Sequence, residues 1–447
     1  MTKWSRISHL MIVILIFIGG SSCNADQAQD SKIGSKYVID YVEDLALDQT
    51  VHKHWFAIPT GNLPSQWESF VQEGTGHTII RISSITDHSR FDYMDGDQSE
   101  GLTNGYSRFS NSNISGEYLL AFSTDQALLL YNLAAGSSLG LITYDGDNYI
   151  GESCNPRWDL SNRAGTQTTI YYHLWGGTKI YKQDVLKGYA SQELVYDLQE
   201  EILSEDHMDQ DRFARYRAVR LNNKIVVLNL RERQILSGEV FVQQGGCDIS
   251  TEGNWLYVQG FNGTEETRFY KISRLAQGDT SQYVVLPCES HGHDGWAFDR
   301  DGNEVYTFQD NTNDWFSAFN PESGERIDII HMSETGWTFG QHMGRMINKE
   351  KKGWLLMSSY DDIYDSWADN QMFMLEIKSH NDEPKSRIWR IASTFNRYGN
   401  NYFAESFASI SPDGNNIYWG ANWMGEDNLE LYRLQLPSNW HDEIEVQ

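Results

Sequence analysis

The chain has little cysteine, little proline and little positive charge for its length. Four cysteines in 447 residues are too few for a disulfide framework. The 62 aspartates and glutamates outnumber the 35 lysines and arginines, so the net charge is −27. This charge argues against nucleic acid as a partner, because a nucleic-acid backbone is also anionic. A site for any polyanion must therefore be a local cluster of arginine and histidine.

Long hydrophobic runs are also lacking. The apolar run at residues 10–18 follows Lys3 and Arg6 and is too short to span a bilayer, which is typical of a secretory signal. Small residues before Cys23 resemble a bacterial lipidation signal, although Gly20 stands where a leucine-like residue is usual. We expect a lipid on Cys23 as the one link to a membrane, at the cell envelope, with plain secretion as the alternative. The expected divisions are a signal peptide (1–22), a tether and N-terminal extension (23–50) and a folded domain (51–440).

Aromatic residues and one kind of turn are abundant. The 8 prolines against 15 tryptophans and 24 tyrosines favour twisted sheets that pack through aromatic side chains. A turn of the type Ser/Asp-x-Gly-Asn/Glu followed by an alternating strand recurs, most clearly near residues 114, 250, 299 and 411. With weaker copies, the units begin near residues 108, 155, 215, 246, 293, 341 and 402.

Seven such units predict an all-β fold, a seven-bladed β-propeller. The segment at residues 78–83, ahead of the first unit, is expected to pair in the last blade and close the ring, which removes exposed sheet edges. The alternative is a β-sandwich followed by a second β-domain. In a propeller the starts of the innermost strands converge on one mouth of the central channel, so polar residues at the starts of the units are candidates for a shared site.

The first candidate group contains cysteine and histidine from units four to six. Thiolate and imidazole ligands together suit Zn²⁺. We therefore expect zinc or a similar divalent metal here, with buried cysteines, or a Cys247–Cys288 disulfide, and carboxylate-bound histidines as the alternative. The expected ligands are Cys247, Cys288, His291 and His342, with His293 beside them.

The second candidate group contains arginines, a histidine and a tyrosine from units two and three. Removing a proton next to a uronate carboxylate needs a cation for the developing enolate, a base, and an acid for the leaving oxygen. The alternative is that Arg215 or Arg217 pairs with Asp209 or Asp211 and that Tyr216 is packing. The members of this group are Asn155, Arg157, His173, Arg215, Tyr216, Arg217 and Arg231.

Over residues 75–437 the order of motifs resembles the propeller polysaccharide lyases, which include oligogalacturonate lyases and propeller ulvan lyases. The motifs are Tyr106-Ser107-Arg108, Asn155-Pro156-Arg157-Trp158, Arg215-Tyr216-Arg217-Ala218, His293-Asp294, Gln341-His342 with Gly353-Trp354-Leu355-Leu356-Met357-Ser358, and Ser411-Pro-Asp-Gly.

This resemblance implies β-elimination in a uronic-acid polysaccharide, with ulvan as the first expectation. It implies His173 and Tyr216 as the acid and base, and Arg215, Arg217 or Arg231 as neutralising groups. Asn155 would assist there, and a metal would have a structural role. Arg157, His293 and His342 would bind substrate. The oligogalacturonate enzymes imply instead a catalytic divalent metal at Gln341 and His342 with His291 or His293.

Two positions depart from the resemblance. Asn155 stands where a second histidine would be expected, and Glu405-Ser406-Phe407 stands where related propellers often have Glu-Pro-His. An asparagine can orient a carboxylate but cannot act as a base. The expected function is therefore a polysaccharide lyase, and the alternative is a non-catalytic propeller lipoprotein that binds a glycan or a protein at the cell surface.

Overall fold

The structure is a computed structural model. It describes residues 38–39, 63–72, 75–84, 87, 101–124, 126–203, 209–242, 245–260, 266–335, 340–360, 367–381, 386–399, 402–423 and 429–445. The expected signal peptide and Cys23 lie outside this part of the chain. Within it, no helix combines the length and apolar character needed to cross a bilayer.

Seven antiparallel sheets of four or five strands form the blades of a β-propeller, which confirms the predicted fold class. Three strands precede the first blade: β1 (Val38–Ile39), β2 (Ser69–Val71) and β3 (Thr78–Arg81). Blade 1 contains β4 (Leu102–Thr103), β5 (Tyr118–Ser123), β6 (Leu128–Asn132) and β7 (Ser137–Leu141), and blade 2 contains β8 (Arg157–Trp158), β9 (Thr169–His173), β10 (Lys179–Asp184) and β11 (Glu193–Asp197). Blade 3 contains β12 (Tyr216–Arg220), β13 (Lys224–Asn229), β14 (Gln234–Ile235) and β15 (Val240–Phe241), and blade 4 contains β16 (Gly246–Ile249), β17 (Trp255–Gln259), β18 (Arg268–Lys271) and β19 (Val284–Val285).

The remaining blades complete the ring. Blade 5 contains β20 (Ser290–Phe298), β21 (Glu304–Asp310), β22 (Trp315–Asn320) and β23 (Glu325–His331). Blade 6 contains β24 (Gly340–Gly344), β25 (Trp354–Tyr360), β26 (Gln371–Glu376) and β27 (Ile388–Ser393). Blade 7 contains β28 (Ser409–Ile410), β29 (Asn416–Ala421) and β30 (Glu430–Gln435). Among the described residues, the α-helices are short: α1 (Ile272–Leu275) and α2 (Trp440–Glu445). Short 3₁₀ segments lie at Glu152–Cys154, Tyr189–Ser191, Met332–Thr335, Lys349–Lys351 and Tyr402–Ala404.

The last blade is completed by N-terminal strands, as predicted. β3 pairs with β30, with Thr78 opposite Gln435, and β2 pairs with β3. A buried ion pair of 2.6 Å between Arg81 and Glu430 joins the same two strands. β1 extends blade 6 by pairing with β27. The ring is therefore held closed by hydrogen bonds between the two ends of the chain.

Most blades share one turn between the innermost and the second strand. In blade 4 the hydroxyl of Ser250 accepts hydrogen bonds from the backbone N–H groups of Asn254 and Trp255. Asn113, Asp211 and Ser411 accept the same pair of bonds in blades 1, 3 and 7. The fourth residue of this turn has a positive φ, which glycine adopts without strain. Four blades have glycine there: Gly116, Gly253, Gly302 and Gly414.

Blade 3 has alanine at that position, and this hides its true register. Ala214 adopts a φ of 46°. The innermost segment of the blade is residues 209–211, because Ala218 N–H bonds to Asp209 O at 3.1 Å and Gln210 bridges to Arg217. β12 is therefore the second strand. The prediction that the 215–217 segment starts an innermost strand is wrong.

The core lies between the blades and is rich in aromatic side chains, as the composition predicted. Trp296, Trp354, Trp389, Trp419 and Trp440 are fully buried. Their burial fixes how neighbouring sheets face each other, and so fixes which residues reach the channel.

Candidate active site

A cleft of about 340 Å³ opens at the end of the channel where the innermost strands start. We call it the mouth cleft. Aromatic and polar side chains line it in equal measure, and the aromatic Trp175 and Tyr402 are 72% and 52% exposed. Aromatic surfaces with convergent polar groups are typical of ligand sites. Its lining includes Tyr106, Phe109, Glu152, Asn155, Arg157, Trp175, Tyr402 and Phe407.

Arg157 is the cation of the mouth cleft. Its Nε lies 3.1 Å from Asp209 Oδ1, and its Nη2 donates to Asn155 Oδ1 at 3.3 Å. Its guanidinium stacks on the ring of Phe109, 3.1 Å from the ring centre. Burial lowers the pKa of Arg157 to about 10, so it stays charged at neutral pH. It is thus a fixed positive group on a wall of the cleft.

Behind Arg157 lie Arg217 and His173. Arg217 is fully buried and donates to the backbone oxygens of Asn155 at 2.6 Å and Tyr171 at 3.4 Å. Burial and the neighbouring Arg157 lower its pKa to about 9. Burial, Arg217 and Arg157 also lower the pKa of His173 to about 3. His173 is therefore neutral, and these residues form one packed group.

Three members of the second candidate group lie elsewhere. Arg215 pairs with Asp211 at 2.8 Å, which confirms the alternative for that residue. Arg231 donates to the backbone oxygen of Phe213 at 2.8 Å. Tyr216 begins a second strand, β12, whereas His173 ends a second strand, β9. Second strands of adjacent blades run in the same direction, so these two residues lie at opposite ends of the channel, and the expected shared cleft for them is wrong.

The end of the channel that carries Arg215 and Tyr216 has its own cavity, of about 810 Å³. We call it the turn cavity, because turns of blades 3 to 6 line it. Its carboxylate Glu304 accepts hydrogen bonds from Ser250 Oγ at 2.9 Å and Glu252 N at 2.5 Å. Such bonds tie neighbouring turns together and leave this carboxylate a structural role.

The expected zinc site is not found in the part of the chain that the structure describes. Cys247 and Cys288 belong to different hydrophobic clusters, and they are free thiols, so the alternative disulfide is also wrong. Burial raises the pKa of Cys288 to about 12, which keeps it protonated. Among the described residues no three His, Cys, Asp or Glu side chains are placed to hold a metal. The side chain of His291 lies outside the description.

His342 lies beneath the mouth cleft and has a hydrogen-bond partner at each ring nitrogen. Nε2 is 2.9 Å from Glu405 Oε2, and Nδ1 is 3.3 Å from the hydroxyl of Tyr106. The ring of His293 stacks on it at 4.7 Å, and His293 Nδ1 bonds to the backbone oxygen of Gln341. Burial, with a smaller effect of a nearby arginine, lowers the pKa of His342 to about 3. Because both ring nitrogens already have hydrogen-bond partners in the protein, His342 does not fit the expected role of metal ligand.

Glu405 is the functional candidate that sequence reasoning missed. Burial raises its pKa to about 7, an effect that the hydrogen bond from Tyr360 and the neighbouring His293 partly offset. A carboxylate that titrates near neutral pH suits proton transfer. One indication of it lies in the sequence: Glu405 is the residue that remains of the expected Glu-Pro-His motif, which reads Glu405-Ser406-Phe407 here.

Buried ion pairs line the channel below the cleft. Arg108 lies 2.5 Å from Asp294, both side chains being 1% exposed, and Tyr306 donates to Asp294 at 2.7 Å. Asp209 is shared by Arg157 and Arg345. Arginine is therefore present around the channel of a strongly acidic chain, held there by buried aspartates.

No protein-family model matches the chain, and no curated protein matches it. Solved structures do. An oligogalacturonate lyase from Vibrio parahaemolyticus is 12% identical, with a TM-score of 0.53 over 85% of this chain and 98% of that one. An oligogalacturonate lyase in complex with manganese is 11% identical, with a TM-score of 0.55 over 84% of this chain and 97% of that one. At these identities the similarity shows a shared propeller fold.

Proposed function

We propose that this chain is a lyase that cleaves a uronic-acid-containing anionic polysaccharide by β-elimination in the mouth cleft. The observation that carries the proposal is the position of Arg157, a fixed cation on the wall of the cleft, with the Glu405–His342 pair buried behind the lining residues Tyr106 and Phe407. The shared fold with two oligogalacturonate lyases supports it.

In this proposal Arg157 and Asn155 hold the substrate carboxylate. A cation beside the carboxylate stabilises the charge that develops when the neighbouring proton leaves. Arg217 fixes the backbone of Asn155, so it acts as a positioning residue. His173 lies close enough to Arg157 and Arg217 for both to lower its pKa, and we assign it a positioning role as well. The exposed rings of Trp175 and Tyr402 give the sugars of a polymer flat apolar surfaces on which to lie.

Glu405 and His342 supply the proton chemistry. Because the pKa of Glu405 is about 7, both of its protonation states are populated at neutral pH. The elimination takes the proton at C5 of the uronate, forms a C4–C5 double bond and releases the O4-linked sugar. No water is consumed.

We propose ulvan as the polymer and a lipid on Cys23 as the anchor that holds the enzyme at the cell surface. A divalent cation is a further component to test, since one lyase with this fold is in complex with manganese. The expected ligands that the structure describes do not fit a metal, so no step of the proposal passes through one. Activity measured after chelation, and again after adding Mn²⁺ or Zn²⁺, tests this component.

The test of the function is ultraviolet absorbance of the new double bond conjugated to the carboxylate. Purified protein is incubated with ulvan, polygalacturonate, alginate and glycosaminoglycans, with and without Mn²⁺. We expect absorbance to rise with one of these polymers and to fall away in Arg157→Ala. Folded protein that gives no rise with any polymer, with or without metal, contradicts the proposal.

The exposed aromatic rim also favours a second candidate, a propeller that binds a glycan without cleaving it. Trp175, at 72% exposure, is the observation for it. Binding of one of the same polymers, measured by calorimetry and lost in Trp175→Ala, without any change in polymer length would support this candidate over the lyase.

A further inference from the structure

We propose that Tyr106, His342 and Glu405 form a proton relay, and that Tyr106 is the catalytic residue that exchanges a proton with the sugar. The inference rests on the proposed lyase function and assigns its acid–base group. It replaces the expected pair of His173 and Tyr216, which lie at opposite ends of the channel.

The three residues come from three distant parts of the chain and meet under the mouth cleft. Tyr106 follows β4 and lines the cleft, His342 lies in β24, and Glu405 precedes β28. The Tyr106 hydroxyl is 3.3 Å from His342 Nδ1, and His342 Nε2 is 2.9 Å from Glu405 Oε2. Both distances allow hydrogen bonds, so a continuous path joins the cleft to a buried carboxylate.

Packing holds the path in place and keeps water from it. Phe407 contacts both rings, with centroids 4.4 Å from His342 and 5.3 Å from Tyr106. Tyr360 and His293 stack on His342 at 5.4 and 4.7 Å. His342 is 1% exposed. Groups fixed in this way lose little freedom during the reaction, which favours proton transfer over unproductive motion.

The chemistry of the three groups gives the relay a direction. An ionised Glu405 accepts a hydrogen bond, so the proton of neutral His342 lies on Nε2 and the lone pair lies on Nδ1. Nδ1 then accepts the hydroxyl proton of Tyr106. His342 can pass a proton by exchanging one tautomer for the other, without becoming charged.

The elimination balances through this path. Tyr106 Oη takes the C5 proton as its own proton passes to His342 Nδ1 and the Nε2 proton passes to Glu405. The C5–H electron pair forms the C4–C5 double bond, and the C4–O4 pair leaves with O4. The protons then return along the path from Glu405 through His342 to Tyr106, which protonates O4. Burial raises the pKa of Tyr106 to about 12, so its hydroxyl keeps a proton at rest, and the positive charge of Arg108, 5.2 Å from the ring centre, partly offsets that rise.

The decisive variants are Tyr106→Phe and Glu405→Gln, measured by initial rates on the polymer that the wild type cleaves. Tyr106→Phe keeps the ring contacts and removes only the hydroxyl. We expect kcat to fall by about 100-fold or more with KM changed less than twofold, as for loss of a general acid–base group. Glu405→Gln should lower kcat in the same way, and Glu405→Asp should recover part of it. Tyr189→Phe, on the outer side of blade 2, is the matched control with wild-type rates.

The outcomes separate the relay from the function. An active wild type whose Tyr106→Phe variant keeps more than a third of kcat overturns the relay alone. The same holds if Tyr216→Phe, and not Tyr106→Phe, abolishes turnover. A folded wild type that cleaves none of the polymers overturns both the relay and the lyase function. Should a variant fail to fold, the ¹⁵N shifts of His342 decide: a neutral Nε2–H tautomer is expected, and an Nδ1–H tautomer overturns the relay.

Discussion

The two ends of the channel differ in the partners that their charged side chains have. In the turn cavity, ionic side chains are satisfied by turns: Asp211 accepts two backbone N–H bonds and the Arg215 pair, and Glu304 accepts bonds from the next blade. At the mouth cleft, Arg157 lies on the wall against the ring of Phe109, and the Glu405–His342 pair is buried behind the lining residue Tyr106. The turn cavity is more than twice the volume of the mouth cleft.

In this fold the larger of the two cavities is therefore not the better candidate for the active site. The turns that close the hairpins need carboxylates and hydroxyls as backbone acceptors, so the end that carries them becomes polar for structural reasons. At the mouth no such need exists, and titratable groups buried there are costly unless they have a function. Variants matched between the two ends can therefore break or sharpen the comparison.

The largest effect is expected from Asp294→Ala. It leaves Arg108 buried without its 2.5 Å partner, which costs about 3–5 kcal/mol of unfolding free energy. Its match at the other end is Arg215→Ala, whose side chain is 33% exposed and which should cost about 1 kcal/mol or less. Urea denaturation of both variants measures the difference, and equal losses would contradict the distinction between the two ends.

Next comes activity at matched arginines. Arg157→Ala removes the cation of the mouth cleft while Asp209 keeps Arg345, so we expect kcat/KM to fall by about 10- to 100-fold. Arg215→Ala should change kcat/KM less than twofold. A larger loss of kcat/KM in Arg215→Ala than in Arg157→Ala would favour the site around Arg215 and Tyr216 that the sequence predicted.

A smaller effect concerns the pH dependence of stability. The pKa of Glu405 is raised from 4.5 to about 7. Between these values the folded protein keeps a proton that the unfolded chain releases, so this group lowers the unfolding free energy as pH rises, by at most about 1.4 kcal/mol per unit. His342, with its pKa lowered to about 3, has the opposite sign. The unfolding free energy of the wild type minus that of Glu405→Gln, measured against pH, isolates the effect of this group. A difference that does not change between pH 4.5 and 7 would show that the pKa of Glu405 is not raised. Glu304→Gln, in the turn cavity, should flatten the curve only up to about pH 6.

The smallest effect is expected at the turn of blade 3. Ala214 adopts a positive φ that glycine occupies in the matching turns of other blades. Ala214→Gly should therefore raise the unfolding free energy by up to about 1 kcal/mol without changing activity. A lower midpoint in thermal unfolding would mean that the strain is compensated by packing of the alanine methyl group.

The sequence predicted the fold because the turn that builds each blade is local and leaves a signature in consecutive residues. The one register error came from Ala214, where the glycine of that signature is missing. It moved Tyr216 from one end of the channel to the other, because a hairpin reverses direction at the turn. Asn155, Arg157, His173 and Arg217 were predicted together and do meet. Glu405 and Tyr106 were not assigned roles, since their contacts with His342 join residues more than 60 and 230 positions apart.

Closure of the ring by β3 has a consequence for synthesis of the protein. Arg81 and Glu430, which pair across the closing strands, are 349 positions apart. At a translation rate of about 5–20 residues per second, β3 leaves the ribosome roughly 20–70 s before its partner strand exists. Throughout that interval β3 presents an unpaired sheet edge, because its partner β30 does not yet exist. We therefore expect nascent chains of this protein to depend on a holding chaperone until the last blade emerges, and truncation within β30 to abolish soluble protein while leaving every residue of the mouth cleft in the chain.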